Sequence, residues 1–290
     1  MARRPVGLSA CSTIYTWRVG VTRRDFLRSA TAISVGAVAG VGAYGMVYER
    51  HHIERITRDV LIRGLPPALD GLRIGMVTDV HHSAVVPAED VTRAVTLLKE
   101  SAPDIIVLGG DYISFFDRDY ATPVAELLAP LANAPHGSFA VLGNHDDERV
   151  MPAALTARGF SVLKDQRTSL TINGERLDLA GIGFWTRSPG EVASVLKGTG
   201  GTTILLAHDP RRLQEASALD VQLVLSGHTH GGQVLVPRVG AVAGRKFPVL
   251  AGYAMRENTA LFVSRGVGTV YVPIRINCPP DVAVLTLRQA

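Results

Sequence analysis

Five apolar runs in this chain each end in residues able to hold a metal ion, and that recurrence limits the fold more than any other feature. Residues 71–79 (GLRIGMVTD) lead into Asp79-Val80-His81-His82, and 104–108 (DIIVL) into Gly109-Gly110-Asp111-Tyr112. Residues 138–142 lead into Gly143-Asn144-His145-Asp146, 202–207 into His208-Asp209, and 221–225 into Ser226-Gly227-His228-Thr229-His230. Short continuous apolar runs of this kind read as strands buried on both faces. Helical spacing lies between them: Val91, Val95 and Leu98 within 88–100, and helical stretches over 124–131, 148–158 and 211–218. Strands alternating with helices predict an α/β domain of two sheets with helices outside. In such sheets the carboxyl ends of the strands share one crevice, so the polar residues are expected to converge. A glycine just ahead of a ligand lets the backbone turn and approach closely.

Other segments predict further strands at 160–163, 261–264 and 269–273, and a hairpin over 170–182 turning at Asn173-Gly174. Taken alone, each polar strand end could be an ordinary turn or cap. Five in succession exceed what turns require. The set offers carboxylates, an amide oxygen and imidazoles without thiolate, which suits Mn, Fe, Zn or Co better than Ca. It also exceeds what one ion needs with a position left open, so two metals sharing a carboxylate fit the count.

The net charge of +4 invites a nucleic-acid reading, but residues 1–28 hold six arginines and one acid, leaving the remainder near neutral. No nucleic-acid partner is expected. Cys11 lies in the leader, so the folded part keeps Cys278 alone and closes no internal disulfide. Arg23-Arg24 with Phe26-Leu27, then an uncharged stretch over 29–48, has the form of a twin-arginine export segment or a membrane anchor. A start near Val21 would give a more ordinary leader. The pattern Gly40-Val41-Gly42-Ala43-Tyr44-Gly45 matches a dinucleotide fingerprint, but it ends an export segment instead of following a strand. The expected division is a leader or anchor over 1–48 and a catalytic domain over 49–290.

The order D-x-H, G-D, G-N-H-D, H, G-H-x-H over about residues 72–230 resembles the calcineurin-like metallophosphoesterase superfamily. The details Thr78-Asp79-x-His81, Ser226-Gly227-His228-Thr229-His230-Gly231-Gly232-Gln233 and Ser264-Arg265-Gly266-Val267-Gly268 are similar to its exported bacterial branch of YkuE/YaeI-like phosphodiesterases. The resemblance implies a four-layer double β-sandwich flanked by helices, with a dinuclear centre at the strand ends. It implies that Asp79, His81 and His230 hold one metal, that Asn144, His208 and His228 hold the other, and that Asp111 bridges them. His145 would face the substrate as acid and Asp146 would orient it. His82 is expected to stand outside the ligand set. A metal-bridging hydroxide would attack phosphorus. The expected substrate is a phosphodiester or pyrophosphate of the cell envelope, a lipid head group or wall polymer, met at or beyond the outer face of the cytoplasmic membrane after twin-arginine export. An extracellular nucleotidase or nuclease and a non-catalytic metal-binding scaffold are the alternatives. Arg265 and Arg275 could serve phosphate recognition or a structural ion pair.

Overall fold

A computed structural model describes residues 22–244 and 246–290; Cys11, Val21 and the arginines ahead of them lie outside the described residues. The chain divides into two compact units, the second running Val41–Ala290. Two six-stranded sheets build that unit. The first is ordered Glu54–Ile62, Asp281–Gln289, Arg73–Val77, Ile105–Leu108, Ser138–Ala140, Ser161–Val162. The second is ordered Gly252–Arg256, Thr259–Val263, Leu223–Ser226, Thr202–Leu206, Glu175–Gly181, Gln166–Ile172. The strands that lead to the predicted ligands are parallel neighbours in the middle of each sheet.

Alternation along these strands explains why they read as continuous apolar runs. Ile74, Met76, Ile105 and Val107 face Ile204, Leu206, Leu223 and Leu225 between the sheets. Val77, Ile106 and Leu108 point the other way, under Val91, Val95 and Leu98 of the helix Ala88–Lys99 and Val124 and Leu128 of Ala121–Leu128. Leu205 and Val224 are covered likewise by Val192 and Leu196 of Pro189–Leu196 and by Leu213 of Leu213–Ala218. Each such side chain, fully buried, contributes roughly 1.5–3 kcal/mol. The result is the expected four-layer order of helices, sheet, sheet, helices.

The expected hairpin forms with Asn173 and Gly174 both at positive φ (50° and 85°), the type I′ geometry that matches strand twist. The helix expected over 148–158 is confined to Met151–Thr156. The strand expected over 269–273 is absent: the Gln233 side chain takes the Val270 N–H (2.7 Å) and donates to the Val272 carbonyl (3.3 Å), so the ladder groups are already spent. Glu54–Ile62 is a strand that its charged sequence hid, since as an edge strand it keeps Arg55, Arg58 and Asp59 in solvent. A helix spans Arg23–Val47 and contains all three glycines of the dinucleotide-like pattern, which removes the strand-turn context that reading needs. With the turn that follows, it is long and apolar enough to cross a membrane by length and composition.

Candidate metal centre

The strand ends converge as expected. The first sheet supplies Asp79, His81, Asp111, Asn144 and His145, and the second supplies His208, His228 and His230. Two clusters result, Asp79 with His81 and His230, and Asp111 with His208 and His228; within each, one ligand atom per residue lies within 4.8 Å of the others. Asp79, His81, Asp111, His208 and His230 are all buried.

Five of these residues adopt a left-handed backbone: Asp79, His81, Asp111, His228 and His230, with φ between 49° and 71°. Such conformations cost of order 1 kcal/mol or more and persist where surrounding structure over-determines them. Here neighbouring glycines permit the crowding. A Cβ on Gly143 would stand 2.6 Å from both Cγ and N of Asp111, and one on Gly227 would overlap the Asp79 carboxylate.

Hydrogen bonds aim the side chains. Asp79 Oδ2 accepts from Thr78 Oγ1 (2.7 Å), and both its oxygens lie 3.0 Å from the His228 N–H. His208 Nδ1 donates to the Gly109 carbonyl (2.8 Å), which leaves Nε2 as the inward nitrogen. Asp111 Oδ1 accepts the His145 N–H (2.8 Å), while Oδ2 lies 3.1 Å from His208 Nε2 and 3.5 Å from His81 Nε2. His81 Nε2 and His230 Nε2 face each other at 3.1 Å.

Burial and charge set the protonation states. Burial pushes the Asp79 carboxyl up to about 6, against the His208 charge. Burial also lowers His81 to about 4, His228 to about 3 and His230 well below its ordinary value, so all three are neutral near pH 7, as imidazole ligands must be. At His208 burial acts downward too, but the Asp111 and Asp79 carboxylates outweigh it and raise the group to about 10. Asp111, though buried, is held well below the carboxylate range by His208. A proton on His208 thus supplies the positive charge that this carboxylate pair demands.

The donor set fits metal ions. Asn144 Oδ1 is buried without a hydrogen-bond partner, a costly state for a polar atom, and His208 Nε2 faces Asp111 Oδ2 at 3.1 Å. Both are oxygen or nitrogen donors of the kind that Mn, Fe, Zn or Co takes.

Asp146 departs from expectation. Its carboxylate accepts the backbone N–H groups of Asp111 (2.8 Å), Tyr112 (2.8 Å), Ile113 (3.3 Å) and Gly143 (2.9 Å), so it orients two ligand-bearing loops, not the His145 ring. Burial and the Asp111 charge raise it to about 7. His145 is set instead by the Phe115 N–H donating to Nδ1 (3.2 Å), with Phe115, Tyr271 and His81 around the ring. That fixes the neutral tautomer with hydrogen on Nε2, and burial lowers its pKa. His82 turns away to the Val86 carbonyl (2.9 Å).

Neither arginine is free for phosphate. Arg265 pairs with Asp281 and Glu54, each at 2.8 Å. Arg275 is fully buried and donates to the carbonyls of Arg265, Gly266, Gly268 and Cys278. It thereby shapes the loop whose Val267 and Gly268 N–H groups bond Thr78 and Asp79 carbonyls (3.1 and 2.7 Å). Sequence spacing carried no sign of that role.

Residues 72–232 match the family model of the calcineurin-like phosphoesterases. The chain belongs to this family. Among relatives of the calcineurin-like phosphoesterase, the metallophosphoesterase YkuE of Bacillus subtilis is 30% identical over 93% of this chain and 98% of its own. Phosphodiesterase YaeI of Escherichia coli is 30% identical over 92% of this chain and 99% of its own. A transmembrane protein with metallophosphoesterase domain from Danio rerio is 30% identical over 93% of this chain and 65% of its own. The calcineurin-like phosphoesterase described here is accordingly a metal-dependent phosphoester hydrolase.

Proposed function

We propose that the protein is a dinuclear phosphodiesterase or pyrophosphohydrolase acting on a cell-envelope component, a lipid head group or wall polymer. The observation that carries the reading is Asp111 Oδ2, which lies 3.1 Å and 3.5 Å from one inward imidazole nitrogen of each ligand cluster. On this reading Asp79, His81 and His230 hold one ion, Asn144, His208 and His228 hold the other, and Asp111 serves both. Two such ions, when bound, neutralise phosphoryl oxygens and acidify the attacking water.

The chain's own residues do the rest. His145 presents Nε2 to the leaving oxygen, because Nδ1 is occupied by the Phe115 N–H. There its Nε2–H donates a hydrogen bond that stabilises the charge on the leaving oxygen, a contribution of about 10²–10³-fold. Asp146 holds Asp111 in register through four backbone N–H groups. Residues 1–48 act as the export segment or retained anchor, addressed to the twin-arginine machinery, and 49–290 form the catalytic domain at the outer face of the cytoplasmic membrane. The apolar helix and the transmembrane name of the Danio rerio relative support the signal-or-anchor part of this reading.

The test is elemental analysis of the purified full chain together with hydrolysis of bis-p-nitrophenyl phosphate and p-nitrophenyl phosphate. About two transition-metal ions per chain with diester turnover is the expected result. Preference for the monoester overturns the substrate class, and turnover without bound metal overturns the centre.

A further inference from the structure

Beside the metal clusters lies a groove of about 390 Å³, with His228 and His230, one from each cluster, in its wall. The other walls are Val234, Val242, Ala243 and Phe247 on one side and Val270, Tyr271 and Val272 on the other. The Phe247 ring stands edge-on to His228 at 5.1 Å, so the apolar lining begins at the ligand itself. Away from the His228 and His230 rings, the glutamine and threonine of this lining are already bonded. Both ends of the Gln233 amide bond the backbone of Val270 and Val272, and the Thr229 hydroxyl donates to the Leu250 carbonyl. Among the described residues, Lys246 brings a charged side chain to the groove, with its ammonium 5.3 Å from the Phe247 ring centre.

A sugar or nucleobase entering here would lose water and find its hydrogen bonds unmade, at about 1–3 kcal/mol for each group. A hydrocarbon chain would lose nothing and gain contact. The wall segment is also tied to the apolar helix at the start of the folded unit. The Arg275 N–H donates to the Gly45 carbonyl (3.2 Å), and a Cβ on Gly45 would meet Ile274 and Ile276 side chains at 3.0 and 2.9 Å. Within the unit Val41–Ala290, one short segment therefore both forms a groove wall and contacts Gly45.

We infer that this groove is an acyl-chain subsite, so that the substrate is a lipid phosphoester whose phosphate sits between the two ligand clusters and whose chain lies along Val242, Phe247, Val270 and Val272. The inference rests on the phosphoesterase reading and selects the lipid over the wall polymer. Tyr271 (79% exposed) and Val272 (51%) would then touch the chain where it leaves the groove.

Butyl, hexyl and octyl phosphate, all below their micellar concentrations, provide the test. Their dissociation constants are measured by calorimetry on the manganese-loaded full chain held in lipid nanodiscs. Full burial is worth roughly fourfold in affinity per methylene, and a groove open on one side about twofold. Octyl phosphate is therefore expected to bind at least about tenfold tighter than butyl phosphate. Val242→Asp (a residue 61% exposed) and Val272→Asp on the opposite wall are expected to reduce that ratio to about threefold or less. Partition into the nanodisc bilayer is the same for all three proteins. An equal ratio in the native chain and both variants, or no chain-length dependence, overturns the subsite. Hydrolysis of bis-p-nitrophenyl phosphate, which has no alkyl chain, is read in parallel. Hydrolysis without the chain-length effect removes the subsite alone, and the effect without hydrolysis removes the phosphoesterase reading alone.

Discussion

Gly143→Ala adds one methyl group at the most crowded point of the centre. The new Cβ would stand 2.6 Å from Cγ and from N of Asp111, against an ordinary contact of about 3.4 Å or more, so the carboxylate or its backbone must retreat by most of an ångström. Retreat breaks the hydrogen bond from His145 N–H to Oδ1 (2.8 Å) and withdraws Oδ2 from His208 and His81. Overpacking costs about 1–3 kcal/mol and a lost bond to a charged acceptor about 1.5–3 kcal/mol. A destabilisation of about 2.5–6 kcal/mol follows, which lowers Tm by roughly 5–24 °C in a domain of this size. The centre should suffer more than the fold, because the displaced group is the one shared by both clusters. The assay is thermal unfolding of the metal-free chain, followed by elemental analysis after loading and dialysis. Gly190→Ala is the control: a Cβ there meets nothing within 4 Å, and the position lies in the helix Pro189–Leu196, so stability should hold or rise slightly. Native Tm and native metal content in Gly143→Ala would refute the crowding argument.

His145→Ala should retain bound metal and lose about 10²–10³-fold in turnover, measured on bis-p-nitrophenyl phosphate, as the leaving oxygen loses its hydrogen-bond donor; native turnover sinks that role. Asp111→Ala should lose metal outright, since both clusters share that carboxylate, and elemental analysis decides it. Metal must displace the proton on His208, whose pKa is raised to about 10, so loading at pH 8 should release about one proton per chain. Affinity should then rise about tenfold per pH unit over pH 7.5–9, flattening above 10. Calorimetry in buffers of different ionisation enthalpy reads the proton, and uptake instead of release would contradict the charge balance. A chain cut to 49–290 should be less stable than one cut to 41–290 by about 1–2 kcal/mol, because it loses the Arg275–Gly45 bond and the packing of Ile274 and Ile276. Equal Tm values would show that the helix root adds nothing.

Much of this was legible in order along the chain. Parallel strands buried on both faces have one usable sequence form, the short continuous apolar run, and their ends are the one place where polar groups can gather without burying backbone. Sequence order alone therefore puts Asp79, His81, Asp111, Asn144, His208, His228 and His230 at the ends of five such runs. The Asn173-Gly174 turn was equally local, since its two positive φ angles are a property of those two residues.

Other features were invisible for a physical reason. The strand Glu54–Ile62 sits at a sheet edge, where half its side chains meet water and no apolar run is required. The absence of a strand at 269–273 depends on a glutamine more than thirty residues away. The same distance effect governs Asp146 and Arg275. Asp146 looks like a partner for the adjacent His145, yet its acceptors' worth is realised on backbone N–H groups of another loop. Arg275 was open between phosphate recognition and a structural ion pair, and its two terminal nitrogens instead donate to four backbone carbonyls. Residue type and spacing determined which chemistry the chain can gather. Which hydrogen bond each polar group makes was decided by tertiary structure, because a donor is satisfied by whichever acceptor folding brings within 3 Å, not by its neighbour in sequence.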